Sequence, residues 1–154
     1  MPVSFFALKK IVSRLKRKKK IIVFTNGCFD LLHAGHIQLL KKAKNKGDVL
    51  IVGLNSDRSA RRLKGPGRPI VSQEDRALVL SSLRFVDYVV LFSAPTPIKL
   101  IRAISPAFLV KGADYKSSAV VGAGWVGSHG GKVVRVPLVK NRSSSGILKK
   151  LKDL

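Results

Sequence analysis

Two histidines stand three residues apart in FTNGCFDLLHAGHIQLLKKAK, the stretch from Phe24 to Lys44. His33 and His36 fall where an apolar run ends and a helical pattern begins. Residues three apart share one side of a helical turn, so both imidazoles face the same space. Such a pair serves metal ligation, helix capping or hydrogen bonding to a phosphate. A zinc site needs three or four ligands, and Cys28, Asp30 and His129 stand at no established metal spacing from the pair. Capping accounts for the rings but not for their neighbours. A phosphate accounts for more. The free N–H groups and the dipole of a helix start favour an anion. Gly35 removes a side chain between the rings, and Thr25 and Asn26 end the preceding run with hydrogen-bonding groups. A triphosphate lying across the helix start fits this set.

The elements that must hold such a site follow from periodicity. Ile21 to Gly27 is a continuous apolar run closed by turn residues, and His33 to Gly47 has helical spacing with Gly47 as its stop. Asp48 to Asn55 is a second apolar run. Ser72 to Leu83 opens with a capping serine and acids in its first turn. Asp87 to Phe92, Ala107 to Gly112 and Lys132 to Leu138 complete five strands, with a helix from Thr96 to Ser105 and a short one from Ser143 to Leu151. The glycine-rich Val120 to Gly131 reads as a weakened helix. Strands apolar on both faces and separated by helices predict an α/β fold. The expectation is a single Rossmann-like domain, a five-stranded parallel sheet with helices on both faces. Ligands of such sheets bind at the carboxyl ends of the strands. There Asn26, Gly27, Asn55, Ser56, Lys111 and Gly112 would gather.

Composition narrows the class. The 154 residues are 45% hydrophobic and 25% charged, an ordinary globular balance. Cys28 is the single cysteine, which excludes a disulfide within the chain and favours a reducing compartment. No apolar run reaches the length of a membrane span, and Phe5 to Leu8 is too short for a signal core. A cytoplasmic location is expected. Net charge is +22, from 30 Lys+Arg against 8 Asp+Glu, with a dense run from Arg14 to Lys20. That field attracts polyanions, whether nucleic acid, anionic lipid or phosphorylated small molecules. No zinc-finger, ribonucleoprotein or helix-turn-helix signature accompanies it, so a solvated basic face is the simpler reading. A basic amphipathic helix over Phe6 to Lys18 touching a membrane is a further one. Residues 1–20 therefore read as a basic N-terminal helix or extension, and 21–154 as the main domain.

HAGH, preceded by GCFDLL, resembles the HxGH signature of the nucleotidyltransferase superfamily. Four further blocks follow in order: NSDRSARRLKGPGRPI from Asn55, EDR from Glu74, FLVKGADY from Phe108 and HGGKVVRVPLVKNRSSS from His129. Together they are similar to the adenylyltransferases that activate D-glycero-D-manno-heptose 1-phosphate, over about Ile21 to Ser145. In many bacteria that activity is fused behind a sugar kinase, and 154 residues resemble its stand-alone form. The resemblance implies adenylyl transfer from ATP to the sugar phosphate, giving ADP-heptose for lipopolysaccharide or another surface glycan.

It also implies roles. His33, His36, Lys64 and Thr25 would be catalytic, with Lys64 on a mobile loop. Thr25, Asn26, Gly27, His33, Gly35, His36, Lys111, Gly112, Ser143, Ser144 and Ser145 would bind nucleotide. Asp30, Asn55, Asp57, Arg68, Asp114 and Tyr115 would lie by the second substrate, with Arg61 and Arg62 as further cations. Three serines stand where the family more often has Ser-Thr-Thr. Mg²⁺ would arrive on the ATP phosphates with no direct protein ligand, Asp30 reaching it through water. A homodimer is expected. Sister readings are a glycerol 3-phosphate cytidylyltransferase and a flavin adenylyltransferase. A reading from another class is a nucleic-acid-binding protein on the same scaffold.

Overall fold

In the computed structural model, residues 2–113, 120–137 and 144–152 are described, the side chains of Leu151 and Lys152 excepted. Five strands form one parallel sheet: β1 (Ile22–Gly27), β2 (Val49–Asn55), β3 (Tyr88–Phe92), β4 (Phe108–Gly112) and β5 (Lys132–Val136), in the order β3-β2-β1-β4-β5. Seven helices connect or flank them among the described residues: α1 (Phe5–Arg17), α2 (Ala34–Lys44), α3 (Asp57–Lys64), α4 (Gln73–Ser81), α5 (Ile98–Ile104), α6 (Ala123–Ser128) and α7 (Ser144–Lys152).

Both faces of the sheet are covered, which is why its strands are apolar throughout. Consecutive strand residues point to opposite faces. Phe24, Ile51, Val90 and Leu109 pack with α1 and α5 on one side, through Leu8, Val12, Ile101 and Ile104. Val23, Leu50, Val52 and Val110 pack with α2 and α4 on the other, through Leu40, Ala43, Ala77 and Leu80. The five expected strands are present, each within two residues of its predicted ends.

Three elements add to the expectation. Helix α1 is not a loose appendage: Leu8, Val12 and Leu15 are buried in the first core, and Val3 bridges β3 at Val90. Helix α3 occupies a stretch expected as a mobile loop, so Lys64 ends a helix. Its buried residues are the small Ser59 and Ala60, and such a stretch shows no apolar stripe. Helix α6 does form in the glycine-rich stretch, starting at Gly122, whose φ of +86° is the left-handed conformation that glycine adopts at little cost.

Candidate active site

Strand order reverses across β1. One crossover leads from β1 to β2, and the chain later returns to place β4 on its other side. A crevice opens there at the carboxyl ends of the two strands. Register fixes its lining: Val23 pairs with Phe108 and Phe24 with Leu109, so Asn26 and Lys111 lie across from each other. Lys111 Nζ donates to the Asn26 carbonyl at 3.0 Å.

From Gly27 the chain turns sharply into α2. Phe29 adopts φ +47° and is buried, its ring folded back over Gly27, where an added Cβ would meet it at 3.1 Å. A left-handed phenylalanine costs about 1 kcal/mol or more, strain of the kind held where geometry matters. The turn delivers His33 as the N-cap of α2, its Nδ1 accepting from the Gly35 N–H at 3.1 Å. With Nδ1 an acceptor, the neutral ring carries its proton on Nε2. The His36 ring stacks on His33 at 3.9 Å between centroids, and Phe29 tilts against it at 5.2 Å. Burial pushes the His36 imidazole down to about 4. His33 and the Lys64 ammonium act the same way, and the Leu31 carbonyl opposes them. His36 is therefore neutral at pH 7 in the free site.

Two buried polar atoms here make no hydrogen bond: Asn26 Oδ1 and His36 Nδ1. Leaving such groups unpaired costs about 1–3 kcal/mol each, so both are set for a ligand. Ser144 Oγ, at the start of α7, donates to the Leu31 carbonyl at 3.1 Å and brings that helix start against the same turn. A cavity of about 350 Å³ lies beside it, lined by Phe29, Leu31, Leu32, Val79 and Ile147 with the polar Asp30 and Arg76. Ser145 is exposed on α7, and Gly112 is buried at the end of β4. Asp114, Tyr115 and Ser143 lie outside the described residues.

Several expected contact residues are already engaged. The Thr25 hydroxyl is fully buried and donates to the Val110 carbonyl at 2.9 Å, so it ties β1 to β4 instead of facing a phosphate. Buried Asn55 donates to Ser59 Oγ at 2.8 Å and secures the start of α3. Asp30 accepts from Arg68 Nε at 2.6 Å and from the Ile70 and Val71 amides at 2.8 and 3.0 Å. Both oxygens of Asp30 and the Arg68 Nε thus anchor the loop after α3, so neither carboxylate oxygen is left for the water-mediated metal contact expected of Asp30. Arg62 donates to the Ser93 carbonyl, while Lys64 and Arg61 are exposed.

Arg76, inside the EDR block, carries no local sequence signal of the place it takes in the site. It is 1% exposed. Nε donates to Val71 O at 2.9 Å, Nη1 to the Cys28 and Asn55 carbonyls, and Nη2 to Asp57 Oδ1 at 2.6 Å. One guanidinium thus joins the ends of β1 and β2, the start of α3 and the anchored loop. Asp57 Oδ1 accordingly pairs with Arg76, with the carboxylate still 36% exposed. Burial raises the Cys28 thiol above its usual value against the pull of Lys64 and Arg76, so at neutral pH it behaves as a small apolar group.

Comparison with known proteins places this arrangement. The cytidylyltransferase-like family matches residues 24–143. The bifunctional protein HldE of Wolinella succinogenes is 56% identical over 145 residues, which are 94% of this chain and 30% of that protein. The bifunctional protein HldE of Campylobacter concisus is 55% identical over 147 residues, 95% of this chain and again 30% of the relative. The chain thus spans about a third of the length of these relatives. A lipopolysaccharide core biosynthesis protein from Thermoplasma volcanium superposes with a TM-score of 0.64 at 30% identity, covering 80% of this chain and 99% of its own. A pantoate-beta-alanine ligase from Francisella tularensis shares the fold, with a TM-score of 0.64 at 20% identity, over all of this chain and 74% of its own.

Proposed function

This chain belongs to the cytidylyltransferase-like family, and from that premise we propose that it transfers the adenylyl group of ATP to D-glycero-D-manno-heptose 1-phosphate. The observation that carries the reading is the stacked His33–His36 pair at the start of α2, beside a buried Asn26 Oδ1 and His36 Nδ1 without partners. The two imidazoles suit a phosphate chain, the acceptor Asn26 Oδ1 suits an N–H or O–H of the ligand, and the set offers no nucleophile. None is required, because a phosphate monoester is itself nucleophilic at neutral pH. A sugar phosphate oxygen attacks the α-phosphorus in line; the bond from that phosphorus to the bridging oxygen breaks, and pyrophosphate leaves. The protein positions the phosphates and stabilises their charge.

His33 Nε2–H donates to a phosphate oxygen, its tautomer fixed by the Gly35 amide. His36 is neutral in the free site; a bound triphosphate raises its affinity for a proton, and Nδ1–H then donates to the leaving pyrophosphate. Lys64, exposed at the end of α3, swings its ammonium onto the same oxygens. Amides at the start of α7, with Ser145, serve the β- and γ-phosphates. Asn26, Gly27, Lys111 and Gly112 line the nucleotide side of the crevice. Among the described residues no three His, Cys, Asp or Glu side chains converge to hold a metal. Mg²⁺ fits as an ion carried by the nucleotide phosphates, where it neutralises charge. The proposal extends to a homodimer, supported by Leu78 and Val79, 61% and 46% exposed on α4.

Pyrophosphate release with Mg²⁺ tests the reading, with ATP or CTP crossed against heptose 1-phosphate or glycerol 3-phosphate. Release with ATP and the heptose alone, lost in His36→Ala, is the expected result. Release with CTP and glycerol 3-phosphate moves the chain to a sister activity. Silence from every pair in a folded protein overturns the proposal.

A further inference from the structure

The catalytic crevice accounts for the cations around it, but not for those at the other end of the sheet. Strand β1 spans six residues, about 20 Å at ~3.3 Å per residue. Below its start α1 ends in Arg14, Lys16 and Arg17 and runs into Lys18–Lys20, all exposed. Helix α2 ends beside it with Lys41, Lys42 and Lys44, followed by Lys46. The two ends meet where Asp48 joins them, accepting from the Ile21 amide and lying 3.7 Å from Lys20. Asp48 and Asp87 are the acids at this end among the described residues. Asp87 is occupied by Lys44 at 2.6 Å and by the Leu50 amide. This surface therefore carries a large uncompensated positive charge that adenylyl transfer does not use.

Its residue types and their exposure select the partner. The buried side of α1 is committed to the core through Leu8, Val12 and Leu15, so the helix cannot turn that side into a bilayer. Opposite it, Phe6, Lys10, Ser13 and Arg17 recur at helical spacing on the solvent side. Phe6 is 68% exposed, with Lys10 Nζ over its ring at 4.7 Å. An exposed basic face with an apolar ring amid its charges matches a planar anionic surface. The aromatics of α1 are Phe5 and Phe6, each with a lysine ammonium over its ring, whereas a nucleic-acid strand selects open rings in succession for its bases to stack on.

We propose that the outer side of α1, with the adjoining basic ends of α1 and α2, docks this protein on anionic lipid headgroups and leaves the crevice open to solvent. The reading is independent of which sugar phosphate the site accepts. Co-sedimentation of the full chain with phosphatidylcholine vesicles, with and without 30% phosphatidylglycerol, at 0.1 M salt tests it. Binding is expected only to the anionic vesicles. The triple variant Lys10→Gln/Arg14→Gln/Arg17→Gln is expected to weaken it about a hundredfold, and Phe6→Ser several-fold, both with unchanged melting temperature. No binding to anionic vesicles, equal binding to both vesicle types, insensitivity to the triple variant, or tighter binding to a single-stranded oligonucleotide at the same salt would overturn the proposal.

Discussion

Replacing Arg76 by methionine removes the charge and the fork while keeping most of the volume. The carbonyls of Val71, Cys28 and Asn55 then lose a donor, and Asp57 loses its ion pair. A buried acceptor left unpaired costs about 1–3 kcal/mol. Asp57 adds little, because its side chain is 36% exposed and water replaces the partner. Part of the loss is returned, since the guanidinium no longer has to be stripped of water. The net is a destabilisation of about 3–5 kcal/mol. At about 2–4 °C per kcal/mol for a chain of this length, the melting temperature falls by roughly 6–20 °C. Arg76→Lys keeps the charge but reaches fewer of the four acceptors, so about half the loss is expected. Urea unfolding followed by Trp125 fluorescence measures both. If Arg76→Met unfolds within about 1 kcal/mol of the wild type, the guanidinium is not the hub its contacts describe.

Three other consequences can be checked separately. With the His36 pKa lowered from 6.5 to about 4 by burial, the unfolded chain binds the proton first. Stability should therefore drop by about 3 kcal/mol as pH falls from 6.5 to 4 and level off below. His36→Asn should flatten that slope, and NMR titration near 6.5 in the free protein would exclude the effect. Because Asp30 holds the Ile70 and Val71 amides, Asp30→Ala should speed their hydrogen exchange at least tenfold, and unchanged protection would remove the anchor. Gly131→Ala would set a Cβ 2.6 Å from the Pro106 carbonyl, whereas Gly124→Ala meets nothing within 4 Å inside α6. The first should destabilise by about 2 kcal/mol or more, the second stabilise by about 0.5–1 kcal/mol; equal melting temperatures would contradict this packing.

The sheet was legible because burial on both faces writes itself as runs such as VLIVGLN, and the site's place followed from where those runs stop. His33 as a helix start was equally readable, its type and position both local. What stayed hidden depends on distance in sequence. Nothing near Thr25 shows that its hydroxyl meets Val110, 85 residues on. Nothing near Asp30 shows that it holds a loop forty residues away. A buried arginine in EDR looks like any helical surface cation until four chain segments close on it. Helix α3 shows no apolar stripe because its buried side is serine and alanine, and the core role of α1 is masked because its five lysines and arginines outnumber the three side chains that anchor it.

The most direct test of adenylyl transfer follows the label. The chain is incubated with Mg²⁺, heptose 1-phosphate and ATP carrying ³²P on either the α- or the γ-phosphate, beside His33→Ala and His36→Ala. With adenylyl transfer, α-label alone enters the sugar nucleotide, γ-label appears in pyrophosphate, and both variants lose the transfer by at least a hundredfold. Transfer of γ-label to the sugar, or α-label transfer undiminished in the variants, would contradict it.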